Sequence, residues 1–325
     1  MASPWKKSLG MGLGAGLLGA AVVALRLRSR PQPAPSLPDI ISPSVFSRRV
    51  QRTTRGQMVY HVSGEGEPLV FLHDFFPGAA SYEWSKVYPS FAATHRVLAP
   101  DWVGFGESER PDRPLRAEDH ARSLQEFVRA TCGGKRPVIV ASGCGAALAC
   151  LTAAQHPELV ARLILFHPQG TSRWLSAWAP SPVRAMAWSR NGRRWIYANY
   201  LASPACLSRW LSGRRSVGSD FDLGEPVSVF SSFARQYGAA WAILRILSGR
   251  FSLEALPRLE EVCAPVTIWW PGAGGSEPPA SAHGRPGVRV DDLEPCGALA
   301  PLDRPGELTA RLRVELFQPV RLAET

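Results

Sequence analysis

Residues 136–160 read RPVIVASGCGAALACLTAAQHPELV. The run from Arg136 to Ala141 is short, apolar and β-branched, the pattern of a buried strand. From Ala146 to His156 small and apolar residues recur at helical spacing until Pro157 stops them. Only Ser142-Gly143-Cys144-Gly145 lies between, so strand passes to helix through a tight turn. The same alternation extends outward. Pro68–His73, Arg96–Pro100 and Leu163–Phe166 read as further buried strands, with a helix over Glu118–Thr131. Pro265–Trp270 and Val288–Asp291 resume the strand pattern, and Arg304–Phe317 reads as a closing helix. Strands alternating with helices imply an α/β fold: a mostly parallel central sheet with helices on both faces.

The chain has 325 residues, 45% of them hydrophobic, enough for a large core. The spacing divides it into an amino-terminal hydrophobic segment (1–30), a Pro-rich linker (31–55), a first part of the core (56–170), an insertion (171–255) and a second part (256–325). The net charge of +10 is unevenly spread. Residues 1–55 carry nine Lys/Arg against Asp39 alone, and residues 171–250 carry eleven Arg against three acids. Two basic regions on a mildly acidic body suit an anionic surface or a solvated Arg-rich face. No nucleic-acid-binding module accompanies the charge, so nucleic acid is not an expected partner. The six Cys form no CxxC pair and read as free thiols.

Ser8 to Leu25 is uncharged, mostly apolar and flanked by Lys6–Lys7 and by Arg26, Arg28 and Arg30. Eighteen residues at ~1.5 Å rise make roughly 27 Å of helix, the depth of a bilayer core. The expectation is a single-pass membrane anchor, with a cleaved signal peptide as its rival. The Arg excess behind the segment places the main domain on the cytoplasmic side. Gly14–Gly19 spells GxGxxG, but no strand precedes it, so it is not a dinucleotide loop. With no HExxH, no P-loop and no metal-ligand spacing either, neither cofactor nor metal is expected.

Several stretches together resemble the α/β-hydrolase family, in particular its epoxide hydrolase, dehalogenase and small esterase branch. They are Leu69–Gly78 (LVFLHDFFPG), Asp101–Ser108 (DWVGFGES), Ala141–Ala149 (ASGCGAALA), His156–Val160 (HPELV) and Gly297–Glu307 (GALAPLDRPGE). The resemblance runs from about residue 56 to 318. It implies the α/β-hydrolase fold with residues 171–255 as a helical cap. It also implies a nucleophile at the tip of the strand-to-helix elbow, a late His base, and an acid after the strand ending at Trp270.

Set on those positions, the sequence lacks the expected side chains. The nucleophile, fourteen residues before the Pro of HPE, falls on Gly143; the base falls on Ala298; the acid falls on Gly274 or Gly275. Two substitutes stay open. Cys144 becomes the nucleophile if the register moves by one, and Glu277 the acid after a two-residue slip. The oxyanion loop falls on His73, Asp74 and Phe75, with the amide of Cys144 opposite. Asp74 stands where the family has Gly, and a carboxylate there opposes the charge of an oxyanion.

The expectation is therefore a membrane-tethered, catalytically silent relative that binds a hydrophobic small molecule or a protein partner in the old pocket. The alternative is an active hydrolase of an ester or similar lipophilic substrate, using Cys144 or an unrecognised catalytic set. Six of the eleven Trp lie among the insertion's Arg. They either pack the cap and line a pocket or rest it on an anionic membrane.

Overall fold

The computed structural model describes residues 46–171, 189–270 and 282–317. Its centre is an eight-stranded sheet in the order β1-β2-β4-β3-β5-β6-β7-β8. The strands are β1 (Ser47–Thr53), β2 (Gly56–Ser63), β3 (Glu67–Leu72), β4 (His95–Pro100), β5 (Val138–Ser142), β6 (Arg162–Phe166), β7 (Val266–Trp270) and β8 (Val288–Asp292). The β1–β2 and β2–β4 pairs are antiparallel and the others parallel. The expected strands lie within a residue or two of these bounds. The β1–β2 hairpin does not follow from the sequence reading, which gives residues 47–53 to the linker. Its alternation SRRVQRT is polar on both faces and carries no strand signal, and pairing with β2 decides its conformation.

The central strands are apolar throughout because both faces are covered. Val70 and Leu72 of β3 pack on one side with Ile139, Ala141, Leu163 and Ile268. Leu69 and Phe71 pack on the other with Trp84, Val140, Ile164 and Trp269. Each large side chain so buried contributes about 1.5–3 kcal/mol. That outweighs the ~1–3 kcal/mol of local strain a functional turn stores, so the sheet can hold a strained loop in place.

Helix α1 (Ala117–Thr131) and α2 (Gly143–Gln155) pack against each other on one face. Between β6 and β7 the chain forms α3 (Arg190–Ile196), α4 (Pro204–Ser212), α5 (Gly224–Ala234) and α6 (Ala240–Leu247), the helical insertion. It closes onto the core where Phe230 stacks on Phe76 and Tyr82, at centroid distances of 4.8 and 5.3 Å. Helices α7 (Ala300–Asp303) and α8 (Pro305–Phe317) end the described chain. A buried pair ties α8 to the sheet: Arg162 lies 3.0 Å from Glu315, whose Oε1 also accepts the Thr267 hydroxyl at 2.7 Å.

The expected membrane anchor is corrected here. Among the described residues no helix is long and apolar enough to cross a membrane, and residues 8–25 lie outside them. All six cysteines are free, five buried and Cys263 exposed.

Candidate functional site

The strand order places the site. β3 is flanked by β4 on one side and β5 on the other, so the connections leave its two sides in opposite directions. A crevice opens at such a switch point, beyond the carboxyl ends of the strands. The residues leaving β3 are His73, Asp74 and Phe75; those leaving β5 are Ser142, Gly143 and Cys144. Pairing of Leu72 with Ala141 brings the two turns level.

The turn after β5 is tight. Gly143 has φ +52°, a left-handed conformation that glycine adopts without a Cβ penalty. Gly145 lets α2 approach the β3 loop so closely that a Cβ there would run into the carbonyl oxygen of His73. A Cβ on Gly143 would likewise fall within the Asp74 carboxylate. The carboxylate of Asp74 therefore stands where an elbow side chain would begin.

Two backbone donors hold it there. Asp74 Oδ1 accepts the amide N–H of Phe75 at 2.6 Å and of Cys144 at 2.7 Å. These two amides, one from the loop after β3 and one from the first turn of α2, form the cradle that the sequence assigns to an oxyanion. Charge-assisted bonds of this kind contribute about 1.5–3 kcal/mol each, which offsets the cost of burying the carboxylate. Among the described residues no hydrogen bond takes Oδ2.

The neighbours are set by the same loop. His73 is buried and fixed: its Nε2 accepts the Trp102 amide at 3.1 Å, so its Nδ1–H donates to the Asp74 carbonyl at 2.7 Å. Burial holds its pKa below the usual value. Its role is to orient the loop. Behind Asp74, Glu83 accepts the Asp74 N–H at 2.8 Å. Burial, and then the adjacent Asp74 charge, push the Glu83 carboxyl up to about 8. Ser142 faces this carboxyl rather than the crevice. From the cap, Arg214 reaches over Trp210 with its guanidinium 4.1 Å from the ring, and donates to Gln169 at 3.3 Å. Asp74 and Glu83 both bear on its charge.

The other predicted positions fall as follows. Ala298 lies in a segment packed on the cap: Leu299 N–H donates to the Arg214 carbonyl at 2.8 Å, and Gly297 N–H to Ser216 Oγ at 2.9 Å. That segment thus carries Arg214 into the site instead of an imidazole. Cys144 is buried, and burial and then the Asp74 charge raise its thiol well above its ordinary value, so it is not a thiolate at neutral pH. Gly274, Gly275 and Glu277 lie outside the described residues. Of the Trp in the insertion, Trp174, Trp178 and Trp188 also lie outside them; Trp195 is exposed, Trp210 packs on Phe76, and Trp241 lines a pocket.

Sequence reasoning missed Glu83, Arg214, Gln169 and His167. Glu83 left a signal, as a lone carboxylate within the aromatic run Tyr82–Tyr88. His167, directly after β6, has φ +46°, lies 3.1 Å from the Gln169 amide nitrogen, and is held near pKa 3 by burial and then by Arg214. A histidine closing a strand pattern looks no different from any other in sequence.

A family model described as alpha/beta hydrolase fold matches residues 67–199. The 2-hydroxymuconate semialdehyde hydrolase of Pseudomonas sp. (strain CF600) is 36% identical over 117 residues, covering 34% of this chain and 40% of that protein. A haloalkane dehalogenase of Bradyrhizobium diazoefficiens is 33% identical over 103 residues, 32% of this chain and 33% of that one. The chain thus spans less than half the length of these relatives. Among solved structures, a serine hydrolase involved in carbazole degradation (CarC) superimposes with TM-score 0.63 at 19% identity, over 83% of this chain and 98% of its own. A mutant of a putative epoxide hydrolase from Pseudomonas aeruginosa gives 0.64 at 18%, over 88% and 98%. These relatives are hydrolases by name, which overturns the expectation of a silent chain drawn from Gly143 and Ala298. The physical reason lies in the geometry: an apex without a side chain is not an empty apex when a neighbouring carboxylate reaches it.

Proposed function

The chain is an α/β-hydrolase-fold protein, and from that premise we propose that it hydrolyses a small lipophilic alkyl electrophile, an epoxide or alkyl halide, with Asp74 as nucleophile. One observation carries the reading: the Asp74 carboxylate takes the elbow position with Oδ1 in the two-amide cradle and Oδ2 unclaimed among the described residues. Similarity to a haloalkane dehalogenase supports a reaction of this class.

In the first step Oδ2 forms a bond to the electrophilic carbon, whose bond to halide or epoxide oxygen breaks and carries off the electron pair. Asp74 becomes an ester. In the second step water adds to the ester carbonyl carbon. Negative charge collects on Oδ1, where the Phe75 and Cys144 amides already point, and collapse releases the alcohol and restores the carboxylate. Glu83 is the nearest further carboxyl. While Asp74 is charged, Glu83 retains its proton. Esterification removes that charge, so Glu83 ionises more readily when a leaving oxygen needs a proton and a water needs a base. Arg214 balances the negative charge passing between the two carboxyls.

Turnover of aryl epoxides, 1-haloalkanes and p-nitrophenyl esters in H₂¹⁸O tests the reading. Attack by Asp74 on epoxide or halide puts ¹⁸O into the Asp74 carboxylate, detected in the peptide that contains it. Turnover without label in that peptide, or turnover of the esters alone, removes Asp74 from the role.

A further inference from the structure

A concavity lies at the cap–core seam, with Phe75, the neighbour of Asp74, in its lining. Its core wall includes Phe75, Arg110 and His120, and its cap wall Trp241, Arg245 and Phe251. Apolar rings line its floor: Phe75, His120 and Phe251 stack at centroid distances of 5.2 to 5.9 Å. Arg110, Arg113 and Arg245 line the rest, and among the described residues no Asp or Glu does.

Three of the nearby carboxylates hold other partners, while Asp112, between Pro111 and Arg113, is exposed. Asp101 accepts the Ser81 and Glu107 amides at 2.6 and 2.7 Å. Glu107 pairs with Arg48 at 3.0 Å. Asp119 pairs with Arg55 at 3.0 Å and accepts the Arg116 amide at 2.8 Å. Among the described residues no ion pair reaches Arg110, Arg113 or Arg245. The Nε atoms of Arg110 and Arg245 are buried without a hydrogen-bond partner, and so is Nδ1 of His120, a side chain only 2% exposed. Arg110 and Arg113 each donate a guanidinium N–H to a backbone carbonyl, of Gly106 and Thr54, and the charges of Asp101 and Glu107 bear on Arg110. Gathered cations over an apolar floor suit an anion with an apolar body.

We infer that this pocket binds a small carboxylate carried on an aromatic or alkyl group, the carboxylate between Arg110 and Arg245 and the apolar part against Phe251 and Trp241. The site does not depend on the chemistry of Asp74, so the two can fail separately.

The test is titration calorimetry of the full chain with 2-naphthoate and with 2-naphthamide, which share a ring system and differ in charge. Naphthoate is expected to bind at least about tenfold more tightly in low salt, with the margin shrinking as salt rises. Arg245→Gln and Arg110→Gln, each checked for an unchanged thermal midpoint, are expected to remove that margin and leave naphthamide binding as it was. Asp74→Asn is expected to leave both affinities unchanged. Equal affinity for the two probes, a margin that survives in both Arg variants, or no heat from naphthoate at millimolar concentration overturns the inference.

Discussion

Asp74 and Glu83 show how one residue identity redirects a whole site. A glycine at position 74 would leave two amides pointing into the crevice; an aspartate fills their cradle with its own oxygen. Asp74→Asn preserves the acceptor, because an amide oxygen takes the same two N–H bonds. Turnover by that variant is expected to fall by at least about 10³-fold while the unfolding free energy changes by no more than about 1–3 kcal/mol, read from rates on the epoxide panel beside a urea melt. Glu83 gives a sign that can be checked without substrate. Its folded pKa of about 8 lies above its ordinary 4.5, so between these values the unfolded chain is ionised while the folded chain holds the proton. Stability therefore declines as pH rises from about 4.5 to about 8 and levels off beyond. Glu83→Gln is expected to remove that slope from the thermal midpoint measured across the window. Little of this pair was legible in sequence. Asp74 was recognised as an intruder in the oxyanion loop, but its reach to Gly143, sixty-nine positions away in sequence, depends on the backbone geometry of both turns.

At the scale of elements, the turn from β5 into α2 matches its sequence closely. The apolar run, the glycines and the small residues of α2 predict a strand, a sharp turn and a close helix. The observed helix begins at Gly143 rather than Ala146 because the left-handed glycine leads directly into the first helical turn. The prediction at this scale concerns that glycine. Gly143→Ala adds a Cβ at positive φ and inside the Asp74 carboxylate. It is expected to cost about 1–3 kcal/mol in a chemical melt and to abolish hydrolysis, because the carboxylate must leave its cradle. The function, by contrast, was misread at this element. A glycine at the apex signals a missing nucleophile only if nucleophiles come from the apex, and the loop after β3 brings a carboxylate there from the opposite wall. The hairpin β1–β2 was missed for a different reason: a strand at the rim buries too little of itself to leave an apolar pattern.

Across the whole molecule, the sheet acts as the frame that keeps two loops and a cap in register. The last described helix is part of that frame through Glu315, which receives Arg162 from β6, Thr267 from β7 and Arg289 from β8. Glu315→Ala leaves Arg162 buried without its carboxylate and is expected to destabilise the fold by about 3–5 kcal/mol, visible as a lowered denaturation midpoint. The fold class and most strand positions could be read from periodicity alone, because burial on both faces forces continuous apolar runs. The join between cap and core could not. Arg214 and Arg245 look alike in a basic insertion, and only packing sends one toward Asp74 and the other toward His120.

The two rims of the sheet, β1 and β8, both carry charge along their length: Arg48, Arg49 and Arg52 on one, Arg289, Asp291 and Asp292 on the other. An uncovered rim offers a row of unmet amides and carbonyls to any passing chain, and bulky ions spoil the match. Exchanging the three β1 arginines for threonine is expected to leave a single molecule almost as stable, yet to make concentrated solutions scatter light and bind thioflavin. What these arginines protect is therefore the separateness of one molecule from the next.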